Sequence, residues 1–236
     1  MTDTAQNNKR IAKNTIVLYL RMLLTLVIGL YTSRVVLNTL GVTDYGIYNV
    51  VGGVIAMLNF LTSSMGAASS RFITYDLGKG DMAIMKRTFG NIKTIHLLIA
   101  IIIFIFGETV GLWFVLNKMQ IPIERMNAAL WVYQISIFTS MLSVISVPYN
   151  SAIIAHEHMK AFAYIGVVDA VLKLGIVYLL YIIPYDKLIV YAILFFCVLA
   201  FDRIIYSLYC TRHFEETRTN FAFDKKVFKE IFSFAG

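Results

Sequence analysis

Charge is scarce in this sequence. Asp, Glu, Lys and Arg make up 15% of its 236 residues, against about 25% in soluble domains. Proline occurs three times and cysteine twice, while 58% of the chain is hydrophobic. An apolar excess of that size cannot be hidden in one core, which excludes an ordinary soluble domain. Cys197 and Cys210 would stand about 20 Å apart on a single helix at 1.5 Å per residue. A disulfide spans about 7 Å between Cα atoms at most, so no bridge is expected. There is no glycine-rich phosphate loop, no Ser/His/Asp arrangement and no Cys/His ligand spacing. Neither a cofactor, a metal nor an enzymatic reaction is therefore expected.

What fills the sequence is a set of long apolar runs, each near or above the ~20 residues that cross a bilayer as a helix. Six are legible, at about 11–37, 45–69, 92–116, 128–155, 161–183 and 188–209. They predict an all-α integral membrane protein of six transmembrane helices within residues 1–230. Residues 231–236 read as the truncated start of a seventh helix.

The net charge of +7 would suggest a polyanionic partner in a soluble chain. Here its distribution matters more, because basic residues are retained on the cytoplasmic side of membrane proteins. Fifteen of the 21 Lys and Arg fall in the leader, the second and fourth connections and the tail. Arg34, Lys118, Arg125 and Lys187 fall on the other side, and Arg21 and Lys173 within runs. Both termini are thus expected in the cytoplasm, with no nucleic-acid partner. Trp113 and Trp131 lie at the outer boundary, where an aromatic belt is expected.

Polar residues inside hydrocarbon are costly and mark wet or protein-facing surfaces. At 100° per residue, Asn14, Arg21, Thr25 and Thr32 share one stripe of the first helix, with Arg21 either lining a wet face or snorkelling to headgroups. Asp169 and Lys173 are spaced i,i+4 with the acid first, the favourable order for an ion pair. The pair reads either as a salt bridge that lets the helix insert or as an ion-responsive pair on a cavity.

Tyr45, Gly52, Asn59 and Gly66 recur at heptad spacing in the second run, and Ser136, Ser140, Ser143 and Asn150 share a face of the fourth, beside Pro148. Such small-residue faces let helices approach closely, as does Gly107-Glu-Thr-Val-Gly111, whose Glu108 would border the contact. His156-Glu-His158 lacks the spacing of a metal-binding helix and reads as a solvated loop. The absence of catalytic constellations among so many spans favours movement of a substrate across the bilayer.

The stretch Asn14-Thr-Ile-Val-Leu-Tyr-Leu-Arg21, with Ser33-Arg-Val-Val-Leu-Asn-Thr-Leu-Gly41-Val-Thr-Asp-Tyr-Gly46, resembles the opening of bacterial polysaccharide biosynthesis flippases. Trp131-Val-Tyr-Gln134, Pro148-Tyr-Asn-Ser-Ala-Ile-Ile-Ala-His-Glu157 and Met159-Lys-Ala-Phe-Ala-Tyr164 continue the resemblance over most of the chain. The resemblance implies one six-helix lobe of a two-lobed, V-shaped transporter of the bacterial inner membrane. Its substrate would be an undecaprenyl-diphosphate-linked oligosaccharide, moved by alternating access in polysaccharide or lipopolysaccharide biosynthesis. A second six-helix lobe, from a missing C-terminal half or another copy, would then be a partner. Arg21 and Lys173 are the cations that resemblance places on the substrate, with Thr25, Asn59 and Asp169 as further candidate binding residues. A drug or metabolite exporter on the same scaffold and a membrane-embedded glycan-processing enzyme are the alternatives.

Overall fold

The computed structural model of the chain describes residues 2–57 and 60–235. A bilayer offers no water to the backbone, so a spanning chain must satisfy its own hydrogen bonds. The regular structure is accordingly helical, with no strand among the described residues. In order come α1 (Thr2–Ala56), α2 (Phe60–Lys79), α3 (Met82–Phe106), a π-helical turn (Gly107–Gly111) and α4 (Leu112–Asn117). They are followed by α5 (Met126–Ala155), α6 (Met159–Ile182), α7 (Lys187–His213) and α8 (Lys225–Ala235). Local signals set several ends. Gly80 takes a φ of +71° after α2, Asp81 caps α3 by accepting from the amides of Ala83 and Ile84, and Asp186 caps α7 in the same way.

Among the described residues, five segments are long and apolar enough to cross a membrane: Asn14–Ala56, Met82–Asn117, Ile123–Ala155, Met159–Ile182 and Lys187–His213. The last four match the third to sixth apolar runs. The first two runs are built differently from expectation. No loop separates them at 38–44, because α1 stays helical there except at Gly41, where φ is 80° and ψ 168°. That region of backbone space belongs essentially to glycine. Along the second run α1 ends at Ala56 and α2 begins at Phe60, and Ser69, Ser70, Arg71 and Asp76 of α2 dilute its apolar character.

Contacts on the two sides of Gly41 run in opposite senses. Before it, Arg21 lies over Phe162 and the Tyr31 and Tyr178 hydroxyls are 3.1 Å apart, so α1 advances alongside α6. After it, Asp44 meets Arg125, Gly52 faces Ser136 and Gly66 faces Val147, so the chain advances alongside α5. Because α5 and α6 are antiparallel neighbours across a three-residue turn, α1 doubles back on itself at Gly41.

Helix α5 touches α1, α2, α3, α6 and α7. Association in lipid depends on close fit rather than on expelling water, and small residues provide it. Gly107 and Gly111 are buried, a Cβ on Gly111 would collide with the Tyr133 hydroxyl, and that hydroxyl donates to the Gly107 carbonyl at 2.6 Å. Glu108 borders this contact and accepts from Gln134. Ser151 likewise donates to the Gly66 carbonyl at 3.2 Å. These glycines therefore serve packing, as their spacing suggested.

One end of the bundle gathers the basic residues of 79–93, Lys160 and the α7–α8 linker. There Lys86 pairs with Glu215 at 2.6 Å and Arg87 with Asp224, while Lys93 donates to the Thr219 carbonyl at 2.8 Å. In the His156-Glu-His158 turn, Glu157 and His158 are exposed, as expected of a solvated loop, while His156 is half-buried. His156 stacks on Phe214 at 4.0 Å and its Nε2 lies 2.5 Å from a Glu216 carboxylate that is 2% exposed. His158 meets the Tyr209 hydroxyl at 2.8 Å. Sequence spacing alone could not show that the linker returns to this turn. Burial, with His156 and His213 beside it, holds the His158 imidazole below its ordinary range. In α8, which packs on α2 and α3, Ile231 is fully buried in the core cluster.

Candidate functional site: a polar cavity between α1, α6 and α7

The protein-facing residues of α1 recur at Asn14, Arg21, Thr25, Ile28 and Thr32, all partly buried while most of their neighbours are exposed. This is the polar stripe expected from 100° per residue, and it lies against α6. The Arg21 guanidinium sits 4.0 Å over the Phe162 ring. Gly166, one turn further along α6, makes the approach possible, since a Cβ there would run into that guanidinium. Arg21 and Lys160 also line a cavity of about 260 Å³ at the basic end.

Four residues along α1, Thr25 donates to the Arg21 carbonyl at 2.9 Å, while Thr32 Oγ1 is buried without a hydrogen-bond partner among the described residues. Both line a second cavity, of about 310 Å³, together with Asp169, Lys173, Tyr191 and Phe195. The Lys173 ammonium lies 2.8 Å from Asp169 Oδ1 and 2.9 Å from Oδ2, so the i,i+4 pair is formed. It also rests 5.0 Å over the Phe195 ring. Phe195 borders a third cavity, of about 400 Å³, lined by Tyr48, Asn49, Gly52, Ser136, Thr139 and Ser140. Part of the small-residue face of α5 thus opens on space instead of packing.

Arg21, Thr25, Asp169 and Lys173 are therefore brought to one seam between α1, α6 and α7. Asn59, the fifth candidate, lies outside the described residues. Sequence reasoning missed Asp202 and Arg203 of α7. Asp202 is 7% exposed. Arg203 stacks 4.0 Å over the Tyr149 ring of α5, with Nη1 buried and unpartnered among the described residues. The available signal was a lone acid within an apolar run, which marks a protein-facing position.

The seam holds cations over aromatic rings, an acid–base pair and hydroxyls beside water-sized space. Such a lining suits a phosphate or sugar-acid oxygen, which accepts charge-assisted hydrogen bonds from guanidinium and ammonium groups. Among the described residues no three His, Cys, Asp or Glu side chains are grouped to hold a metal. In comparisons with known proteins, the family model described as polysaccharide biosynthesis protein matches residues 11–236. No curated protein and no solved structure matches.

Proposed function

The chain belongs to the polysaccharide biosynthesis protein family, and on that footing we propose that it moves a lipid-linked oligosaccharide across the bacterial inner membrane. It does so as a six-helix lobe of a two-lobed flippase, with Gly41 separating the first two crossings and both ends of the lobe in the cytoplasm. The observation that carries the reading is the seam itself. Arg21 over Phe162 and Lys173 over Phe195 present two cations to two neighbouring cavities along the α1–α6 contact of a largely apolar chain.

A diphosphate-linked sugar cannot cross ~30 Å of hydrocarbon unaided. In a lined cavity its oxygens exchange water for guanidinium and ammonium donors, and the aromatic rings beneath offer apolar faces to the sugars. Opening to one side and then the other requires a second lobe to rock against this one.

The test is complementation of a flippase-deficient strain by this lobe joined to a second one. Arg21→Ala and Lys173→Ala are expected to lower glycan export at least about tenfold each, the equivalent of 1.4 kcal/mol, at unchanged membrane abundance. Normal export by both variants would reject the cation-lined route, and full export by the lone 236-residue chain would make a second copy of it, not a different segment, the partner lobe.

A further inference from the structure

The linker between α7 and α8 is pinned along α3. The Ala222 amide donates to the Gly90 carbonyl at 3.3 Å, the Thr94 hydroxyl donates to the Ala222 carbonyl at 2.7 Å, and Asn91 Oδ1 accepts from the Asp224 amide at 2.6 Å. Ala222 is the residue laid on α3, since a Cβ on Gly90 would stand 2.8 Å from its own. On either side of it, Phe221 and Phe223 remain 60% and 66% exposed. The depth of these rings is fixed by Lys93, the last charged residue of α3 before Glu108. Its ammonium donates to the Thr219 carbonyl at 2.8 Å and lies 4.6 Å over the Phe221 ring. Two large apolar side chains are thus held out from the bundle where α3 passes from its charged end into its apolar run.

The cations beside them are uncommitted. Asp224 is spent on Arg87 and on the amides of Lys226 and Val227, which it caps. Helix α8 turns Val227, Phe228 and Ile231 toward the bundle, so at 100° per residue its opposite side carries Lys225, Lys226 and Lys229. All three are exposed, with Glu230 beside them, and none has an ion-pair partner among the described residues.

We propose that residues 219–229 form a docking site for anionic phospholipid of the leaflet at the basic end of the bundle. Phe221 and Phe223 enter the boundary between headgroups and acyl chains, the level at which amphipathic elements seat their apolar side. Lys225, Lys226 and Lys229 take the headgroup charge, as basic clusters next to a membrane span do. A zwitterionic lipid offers the same phosphate but cancels its charge with its own ammonium, so three uncompensated lysines select the anionic one. The site stands on the embedding of the chain in a bilayer, independently of any glycan movement.

Fluorescence of a single tryptophan in nanodiscs tests it. The full chain carries Phe223→Trp together with Trp113→Phe and Trp131→Phe. The discs are phosphatidylcholine containing a small fraction of either phosphatidylglycerol or phosphatidylcholine that bears a quencher high on the acyl chain. At equal fraction the phosphatidylglycerol quencher is expected to act at least about fivefold more effectively, the scale of one lysine at an anionic surface. That preference should vanish when Lys225, Lys226 and Lys229 are all changed to Gln, and in 1 M salt, where the Debye length is about 3 Å. Phe221→Trp in the same background repeats the measurement if the first variant fails to fold. Equal quenching by the two lipids overturns the proposal. So does a tryptophan reached by aqueous acrylamide and not by lipid, and so does one shielded from both, which would put a second copy or another lobe over the rings. Glycan export is not read in any arm, so the transport reading stands or falls separately.

Discussion

Arg125 reaches 81 residues back along the chain to hold both carboxylate oxygens of Asp44, through Nε at 2.8 Å and Nη2 at 2.6 Å. The same guanidinium donates to Asp186, Nη1 at 2.6 Å and Nη2 at 3.1 Å. Asp44 follows the Gly41 reversal, Arg125 precedes α5 and Asp186 caps α7. One planar fork therefore ties together three connections at the end of the bundle opposite the basic one, a geometry that lysine cannot reproduce.

Arg125→Ala is expected to lower stability by about 2 kcal/mol, the scale of hydrogen bonds to charged groups, with Arg125→Lys recovering only part. The Arg125 hydrogen bond holds the Asp186 carboxyl below the usual carboxylate range. Its folded value lies below the unfolded value of about 3.9. The stabilisation is thus complete above the unfolded value and is lost as pH falls through the folded one. Thermal unfolding in detergent from neutral to acid pH should show this acid limb in the wild type and a flatter one in Arg125→Ala.

Gly41→Ala meets no atom within 4 Å of the new Cβ, so its cost is backbone strain alone. At a φ of 80° and ψ of 168° that cost is of order 1 to 3 kcal/mol. Gly46, which also has nothing within 4 Å but lies in regular helix, is the control; alanine there should be neutral or stabilising by up to about 1 kcal/mol. Equal melting temperatures for the two variants would show that the reversal does not depend on glycine.

Gly166→Ala should separate function from stability. The new Cβ collides with the end of the flexible Arg21 side chain, which can move away at little cost. A change in melting free energy within about 0.5 kcal/mol is expected, with glycan export falling as in Arg21→Ala. A large loss of stability would mean that Arg21 cannot yield.

Gly90→Ala acts on the linker at the basic end. Its Cβ would lie 2.8 Å from both the Asn220 carbonyl and the Ala222 Cβ, and backbone cannot step aside as a side-chain tip does. Limited trypsin digestion at Arg218 should accelerate in this variant. Acid should act in the same direction. With the folded His158 value lowered, the unfolded imidazole takes up a proton first as pH falls below about 6.5, and stability drops through that window. His158→Gln should weaken the pH dependence of digestion.

Orientation is read by single cysteines in a background lacking Cys197 and Cys210. Sites at Lys79 and Arg218 are expected to be shielded from an impermeant thiol reagent in intact cells, and sites at Lys118 and Lys187 to react. Labelling at Lys79 would reverse the proposed topology.

The sequence by itself determined the helical class and the four later spans, because in hydrocarbon an apolar run has no other way to satisfy its backbone. It also determined what lies within a turn or two along one helix. The Asp169–Lys173 pair and the Arg21, Thr25 and Thr32 stripe follow from 3.6 residues per turn, while the Gly107–Gly111 packing face was legible from its small residues although it forms a π-helical turn. Relations between helices were decided by tertiary structure. The burial of Asp202 depends on how α7 is rotated in the bundle, the Arg125 fork on three connections converging, and the burial of Glu216 under His156 on the linker folding back. Periodicity carries no information on those rotations, which are set by which small residues admit which rings. The Gly41 reversal is of the same kind, since its position in the sequence looks like an ordinary loop and only the opposed contacts with α6 and α5 reveal a turn made by a single residue.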